Sequence, residues 1–182
     1  MAETAAQERK EQPEETPPSS QSGGQAAQSE LSKKTAHERR QKPSGAVRII
    51  VVDGMGGGIG EELVRRIAAA VPNAEIIALA TNAIAAERMV RAGADRGAAG
   101  ENAICQSVKL GDVIVCPIGV ILANSMLGEI TPAMTEAVLT APGKRIILPL
   151  QNDHVSLAGI ENLPLSKMME KAVEMVKAAS NE

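Results

Sequence analysis

Phenylalanine, tyrosine and tryptophan are all absent from the 182 residues. Proteins that hold single strands or RNA by stacking bases on aromatic rings need a platform that this chain lacks, so a nucleic-acid module is not expected. Histidine occurs only as His37 and His154, and cysteine only as Cys105 and Cys116. Neither pair has metal-ligand spacing and the cysteines form no C-x-x-C, so no cysteine or histidine metal site is expected and both cysteines read as small core residues. Long apolar runs are missing as well. The longest candidate, VIVCPIGVILA, is broken by Pro117 and Gly119, whereas a membrane span needs about 18 residues without such interruption. The polar start shows no hydrophobic signal segment, and a cytoplasmic protein without a membrane partner is expected. With no aromatic residues, a core has to be built from Ile, Val, Leu, Met and Ala.

The chain divides into two parts by composition. Residues 1–45 are rich in Glu, Gln, Ser, Pro and Lys with almost no large apolar side chain, the composition of a disordered tail. Lys33, Lys34, Arg39, Arg40 and Lys42 form a basic run interrupted by Glu38; it is too dilute for a nucleic-acid arm and reads as a solvated tether. Residues 46–182 suffice for one domain and are mildly acidic, which argues further against nucleic acid.

Within that domain, residues 47–60 read VRIIVVDGMGGGIG. Val47, Ile49, Ile50, Val51 and Val52 predict a strand buried on both faces, and EELVRRIAAAV after the glycines predicts a helix with Leu63, Val64, Ile67, Ala68 and Val71 inward. AEIIALA is a second strand; Asn82 caps a helix that runs through Ala92 and stops at Gly93. A weak strand in ADRGAAG, a short helix in ENAICQSVKL and a strand in GDVIVCPIG follow. VILANSMLGEI is unusually apolar for a loop. Thr131 and Pro132 open the next helix, KRIILPL is a strand, QNDHVSLAG a turn with a short edge strand, and Met169, Ala172, Val173 and Val176 mark a terminal helix. Alternating buried strands and amphipathic helices predict a three-layer, Rossmann-like doubly wound α/β domain with a mostly parallel sheet of five to six strands.

Ligands of such sheets bind outside the carboxyl ends of the strands. There the sequence places Asp53, the loop residues Gly54, Gly56, Gly57, Gly58, Ile59 and Gly60, then Thr81 and Asn82, and Pro117, Gly119, Asn124 and Ser125, with Glu101, Asn102, Glu129, Thr131 and Asn152 as neighbours. The glycines and the positive end of the helix that follows suit an anion such as phosphate; their plainer reading is a tight, closely packed turn. Asn82 and Thr131 also serve as caps, and Asn124 and Ser125 as partners of backbone groups. Three roles are open for Asp53: to turn back and accept loop N–H bonds, to hold Mg²⁺ bridging to a phosphate, or to act as a buried acid or base. Asp53, Glu101, Asn124 and Ser125 are the candidates for catalysis.

The spacing of Gly54, Gly58 and Gly60, G-x-x-x-G-I-G, is similar to that of short-chain dehydrogenases and reductases; G-x-G-x-x-G fails because Ile59 stands at its last position. That resemblance implies a nicotinamide cofactor and a Tyr-x-x-x-Lys pair, which a chain without tyrosine does not have. The acid expected about 20 residues on, which would bind the ribose hydroxyls of NAD, is replaced by Thr81 and Asn82. NAD is thereby disfavoured against NADP or a mononucleotide. Over residues 47–178, VVDGMGGGIG, ALATNAIA, GAAGENAI, PIGVILANSMLGEITPAM and IILPLQN resemble a family of short bacterial proteins whose shared domain has no assigned function. Three functional readings stand: a binder of a nucleotide or phosphorylated small molecule at loop 54–60, a small enzyme acting on such a ligand through Asp53, and a ligand-free structural protein that self-associates through the apolar VILANSML segment.

Overall fold

A computed structural model of the chain describes residues 45–150, 157–161 and 163–181. The tail expected at residues 1–45, apart from Gly45, lies outside them, as do Asn152, His154 and most of QNDHVSLAG.

Five strands form one sheet: β1 (Arg48–Asp53), β2 (Glu75–Ala80), β3 (Arg96–Ala99), β4 (Val113–Pro117) and β5 (Lys144–Leu148). Their order is β3-β2-β1-β4-β5 and all four pairings are parallel, with Ile50 opposite Ile77 on one side and Ile114 on the other. The helices are α1 (Gly58–Ala70), α2 (Ala83–Arg91), α3 (Glu101–Ser107), α4 (Pro132–Thr140) and α5 (Leu165–Ala179).

β1 is apolar at successive positions because both of its faces are covered. Ile49 and Val51 pack with Leu63 and Ile67 of α1, Met89 of α2 and Met169 and Val176 of α5. Ile50 and Val52 face the other way, onto Ile104 of α3 and Met134 and Val138 of α4. Right-handed crossovers explain the division: the chain winds from β1 to β3 in one direction, crosses over, and winds from β4 to β5 in the other. The reversal leaves a crevice between the carboxyl ends of β1 and β4.

Local chemistry sets the helix ends. Asn82 accepts the N–H of Ala85 at 3.0 Å and Thr131 that of Met134 at 3.3 Å, with Pro132 first in α4. On the outer side of α1, Glu61 pairs with Arg65 and Glu62 with Arg66. The apolar segment after β4 is neither loop nor helix throughout. It forms short 3₁₀ turns at Ile118–Ile121 and Met126–Gly128, buries Val120 and Ile130, and puts Asn124, Met126 and Leu127 in the left-handed region. Among the described residues no helix is long and apolar enough to cross a membrane.

Candidate functional site

β1 ends in Asp53, whose side chain is only 3 % exposed. Its Oδ1 accepts the N–H of Gly54 at 2.8 Å and its Oδ2 that of Gly60 at 2.6 Å. Of the three roles open for Asp53, the structure shows the first: the carboxylate turns back and ties the end of the strand to the first turn of α1. Burial pushes its pKa above the ordinary value; the N–H bonds from Gly60 and Gly54 and the charge of Arg88 oppose that rise, and Glu129 adds to it.

Packing accounts for some of the glycines and not for others. Gly57 has a φ of +69°, and a Cβ there would stand 2.7 Å from Ala85 Cα, so α2 packs directly on this backbone. A Cβ on Gly60 would stand 2.8 Å from Asp53 Cβ, and one on Gly54 2.6 Å from Met126 Sδ. Gly58 is different: its φ is not left-handed and a Cβ would meet nothing within 4 Å. On Gly56 it would meet only Arg88 Nη1, at 3.8 Å.

Hydrogen bonds divide the loop in the same way. The N–H of Gly57 reaches the Gly54 carbonyl at 3.0 Å, and that of Gly60 is held by Asp53. Gly58 and Ile59 complete the first turn, where no intrahelical acceptor exists. Their N–H groups have no acceptor among the described residues. Gly56, Gly58 and Ile59 face a cleft of about 510 Å³, walled by Pro117 at the end of β4, by Met126 and by Leu165 and Met169 of α5. Its charged rim residues, Glu62 and Arg66, are paired at 2.7 Å.

A second polar group lies at the β2 side of the loop. Glu129 Oε2 accepts the Met55 N–H at 2.7 Å, the Thr81 hydroxyl, and Asn82 Nδ2 at 3.2 Å. The Thr81 hydroxyl and the Met55 N–H hold the Glu129 carboxyl below its ordinary pKa, against the cost of burial. Asn82 also donates to the Met55 carbonyl at 2.8 Å. Arg88 donates to the Gly56 carbonyl at 2.6 Å and pairs with Glu61 at 2.8 Å. It is a brace of the loop.

The remaining candidates serve local structure. The Ser125 hydroxyl donates to the Gly119 carbonyl, and the Asn124 N–H reaches the Ile130 carbonyl at 2.7 Å, so both hold the turn after β4. Glu101 and Asn102 open α3 beyond the edge strand β3, are exposed, and do not line the cleft. Thr131 is a cap. Cys105 and Cys116 are unpaired, and burial, with a smaller effect from the Asp53 charge, pushes the Cys116 thiol up to about 12. Sequence reasoning did not single out Met126 or α5 as walls of the cleft, and it placed Glu129 only among the neighbours. No local pattern marks Glu129, because its partner Thr81 is 48 residues away.

A family model matches residues 48–181, the whole of the sheet and its five helices. The chain belongs to DUF3842, a domain of unknown function. This bears out the resemblance read over residues 47–178, and the DUF3842 domain is the doubly wound unit that carries the glycine loop. No curated protein and no solved structure matches the chain.

Proposed function

We propose that this DUF3842 protein is a bacterial cytoplasmic protein that binds a nucleotide or another phosphorylated small molecule at loop 54–60. Gly58 carries the reading. Neither its backbone conformation nor its packing calls for glycine, whereas a group approaching the backbone from the cleft does. Beside it the N–H groups of Gly58 and Ile59 lie at the positive end of the α1 dipole, a favourable place for a phosphate oxygen. Asp53 does not contest that place, since the N–H groups of Gly54 and Gly60 hold both of its oxygens. The unpaired Cys105 and Cys116 suit a reducing compartment. Nucleic acid and membrane have no part in this reading.

The second reading is a small enzyme acting on the same ligand. What favours it is the buried Asp53 carboxyl, with its raised pKa, in the wall of the cleft.

The lack of Tyr and Trp makes the test direct, since the protein itself absorbs little in the near ultraviolet. Gently purified protein should carry a purine-like band that survives nuclease treatment and gel filtration and leaves on denaturation. Gly58→Val should lose the band and keep its circular dichroism. A band retained unchanged by Gly58→Val overturns the loop as the site. A blank spectrum from the wild-type protein excludes a tightly held nucleotide and moves weight to the ligand-free, self-associating protein.

A further inference from the structure

We infer that Glu129 is the carboxylate that recognises the ribose of the bound ligand, so that the site takes a nucleotide with a free 2′,3′-diol and rejects one with a 2′-phosphate. This rests on the reading of loop 54–60 as a phosphate site and names the class of ligand.

In parallel sheets that bind dinucleotides, the pyrophosphate lies on the N-terminus of the first helix, and an acid at the carboxyl end of the second strand accepts the ribose hydroxyls. Here β2 ends at Ala80 and is followed by Thr81 and Asn82, which are uncharged. On sequence alone that gap argues against an unphosphorylated ribose. The fold fills the gap from elsewhere in the chain. Glu129, on the segment after β4, is held by Met55 from the β1 loop and by Thr81 and Asn82 from the end of β2. Three donors converge on Oε2. Oε1 is approached only by Asn82 Nδ2 at 3.5 Å, the outer limit of a hydrogen bond. It is the oxygen left to accept from hydroxyls.

Charge supports the same choice. The groups that hold Glu129 favour its ionised form, so a carboxylate stands there at neutral pH. It accepts hydroxyl donors well and repels a phosphate. Arg88, the arginine that reaches this loop, is already engaged by the Gly56 carbonyl and Glu61 and is not free to offset a 2′-phosphate. The order along the backbone also fits, because Met55 beside Glu129 precedes Gly58 and Ile59 by a few residues. A ribose at the first position and its phosphate at the second would follow the loop.

The test is calorimetric titration of the full chain with ADP-ribose and with its 2′-phosphorylated counterpart. ADP-ribose should bind about tenfold tighter or more, the scale of one hydrogen bond to a charged group. Glu129→Gln keeps an acceptor for the Met55 N–H, and should weaken ADP-ribose about tenfold and erase the preference. Equal binding, or a preference for the 2′-phosphate, overturns the role of Glu129 and leaves the phosphate site standing. If Glu129→Gln tightens both ligands, the carboxylate is an internal competitor for an anion and the diol reading falls. If neither probe binds, the inference fails; inorganic pyrophosphate binding that Gly58→Val abolishes would show that the loop reading survives without it.

Discussion

Two halves of one short loop are glycine-rich for different reasons. On the side of α2, Gly57 lies against the Ala85 backbone and Gly60 against Asp53, so that a Cβ at either would need the strand and helices to move apart. On the side of the cleft, Gly58 faces open space and Gly56 only the end of a flexible arginine. A glycine-rich stretch is therefore not a single signal. Part of it records how closely α1, α2 and β1 pack, and part lies beside open space where packing makes no demand for glycine.

The contrast breaks if paired substitutions cost the same. Gly57→Val joins a left-handed φ to a clash with backbone, and is expected to lower stability by about 3 kcal/mol or more. Gly58→Val should change stability by less than about 1 kcal/mol, because valine has a slightly better helix propensity than glycine and a Cβ there meets nothing within 4 Å. Denaturant melts followed by circular dichroism would compare them, and a similar loss at both sites would make Gly58 a packing glycine. Asp53→Asn comes next. The amide turns an NH₂ toward one of two N–H donors, and a loss of about 1–3 kcal/mol is expected. Reduced ligand binding or turnover in that variant therefore has to be corrected for the fraction folded before Asp53 is given a chemical role.

The smallest effects are those of pH, and they contrast the two carboxylates that flank the loop. Asp53, raised by burial above its ordinary 3.8, contributes most to stability below that value and loses the contribution as pH rises through its folded-state pKa. Glu129, lowered from 4.5 by its hydrogen bonds, does the reverse: its contribution is present above 4.5 and disappears as pH falls through its folded-state pKa. Carboxyl NMR titration should find the Asp53 midpoint above the ordinary value and that of Glu129 below. Midpoints displaced the other way round would show that burial and hydrogen bonding do not rule these groups as described.

Most of the fold was legible because it follows from patterns local to the chain. Continuous β-branched runs in β1, β2 and β4, the caps Asn82 and Thr131, and the stop at Gly93 each act within a few residues. Right-handed crossovers then set on which face of the sheet each helix lies. β3 is polar and small, and shows as a strand mainly through the helices on either side. Val173, at the edge of the apolar stripe of the terminal helix, packs against the core but is only half-buried. The candidate site was legible where it is contiguous, in Asp53 and the glycines. It was not legible where it depends on the path after β4. The left-handed turns at Asn124, Met126 and Leu127 bring Met126 over Gly54 and Glu129 to Met55 and Thr81. No periodicity predicts such a path. Glu101 showed the converse, a carboxylate that follows a strand end, but that of the edge strand β3, and does not line the cleft.

Asp53 fastens the loop at both of its ends, Arg88 braces Gly56, Glu129 holds Met55, and Gly57 closes back on Gly54. A loop restrained at so many points is ordered by the protein's own contacts, before any ligand arrives. On the proposed reading, encounter with a phosphorylated ligand would be a matter of diffusion and orientation, with no lag for a conformational change, and related ligands would differ mainly in how long they stay.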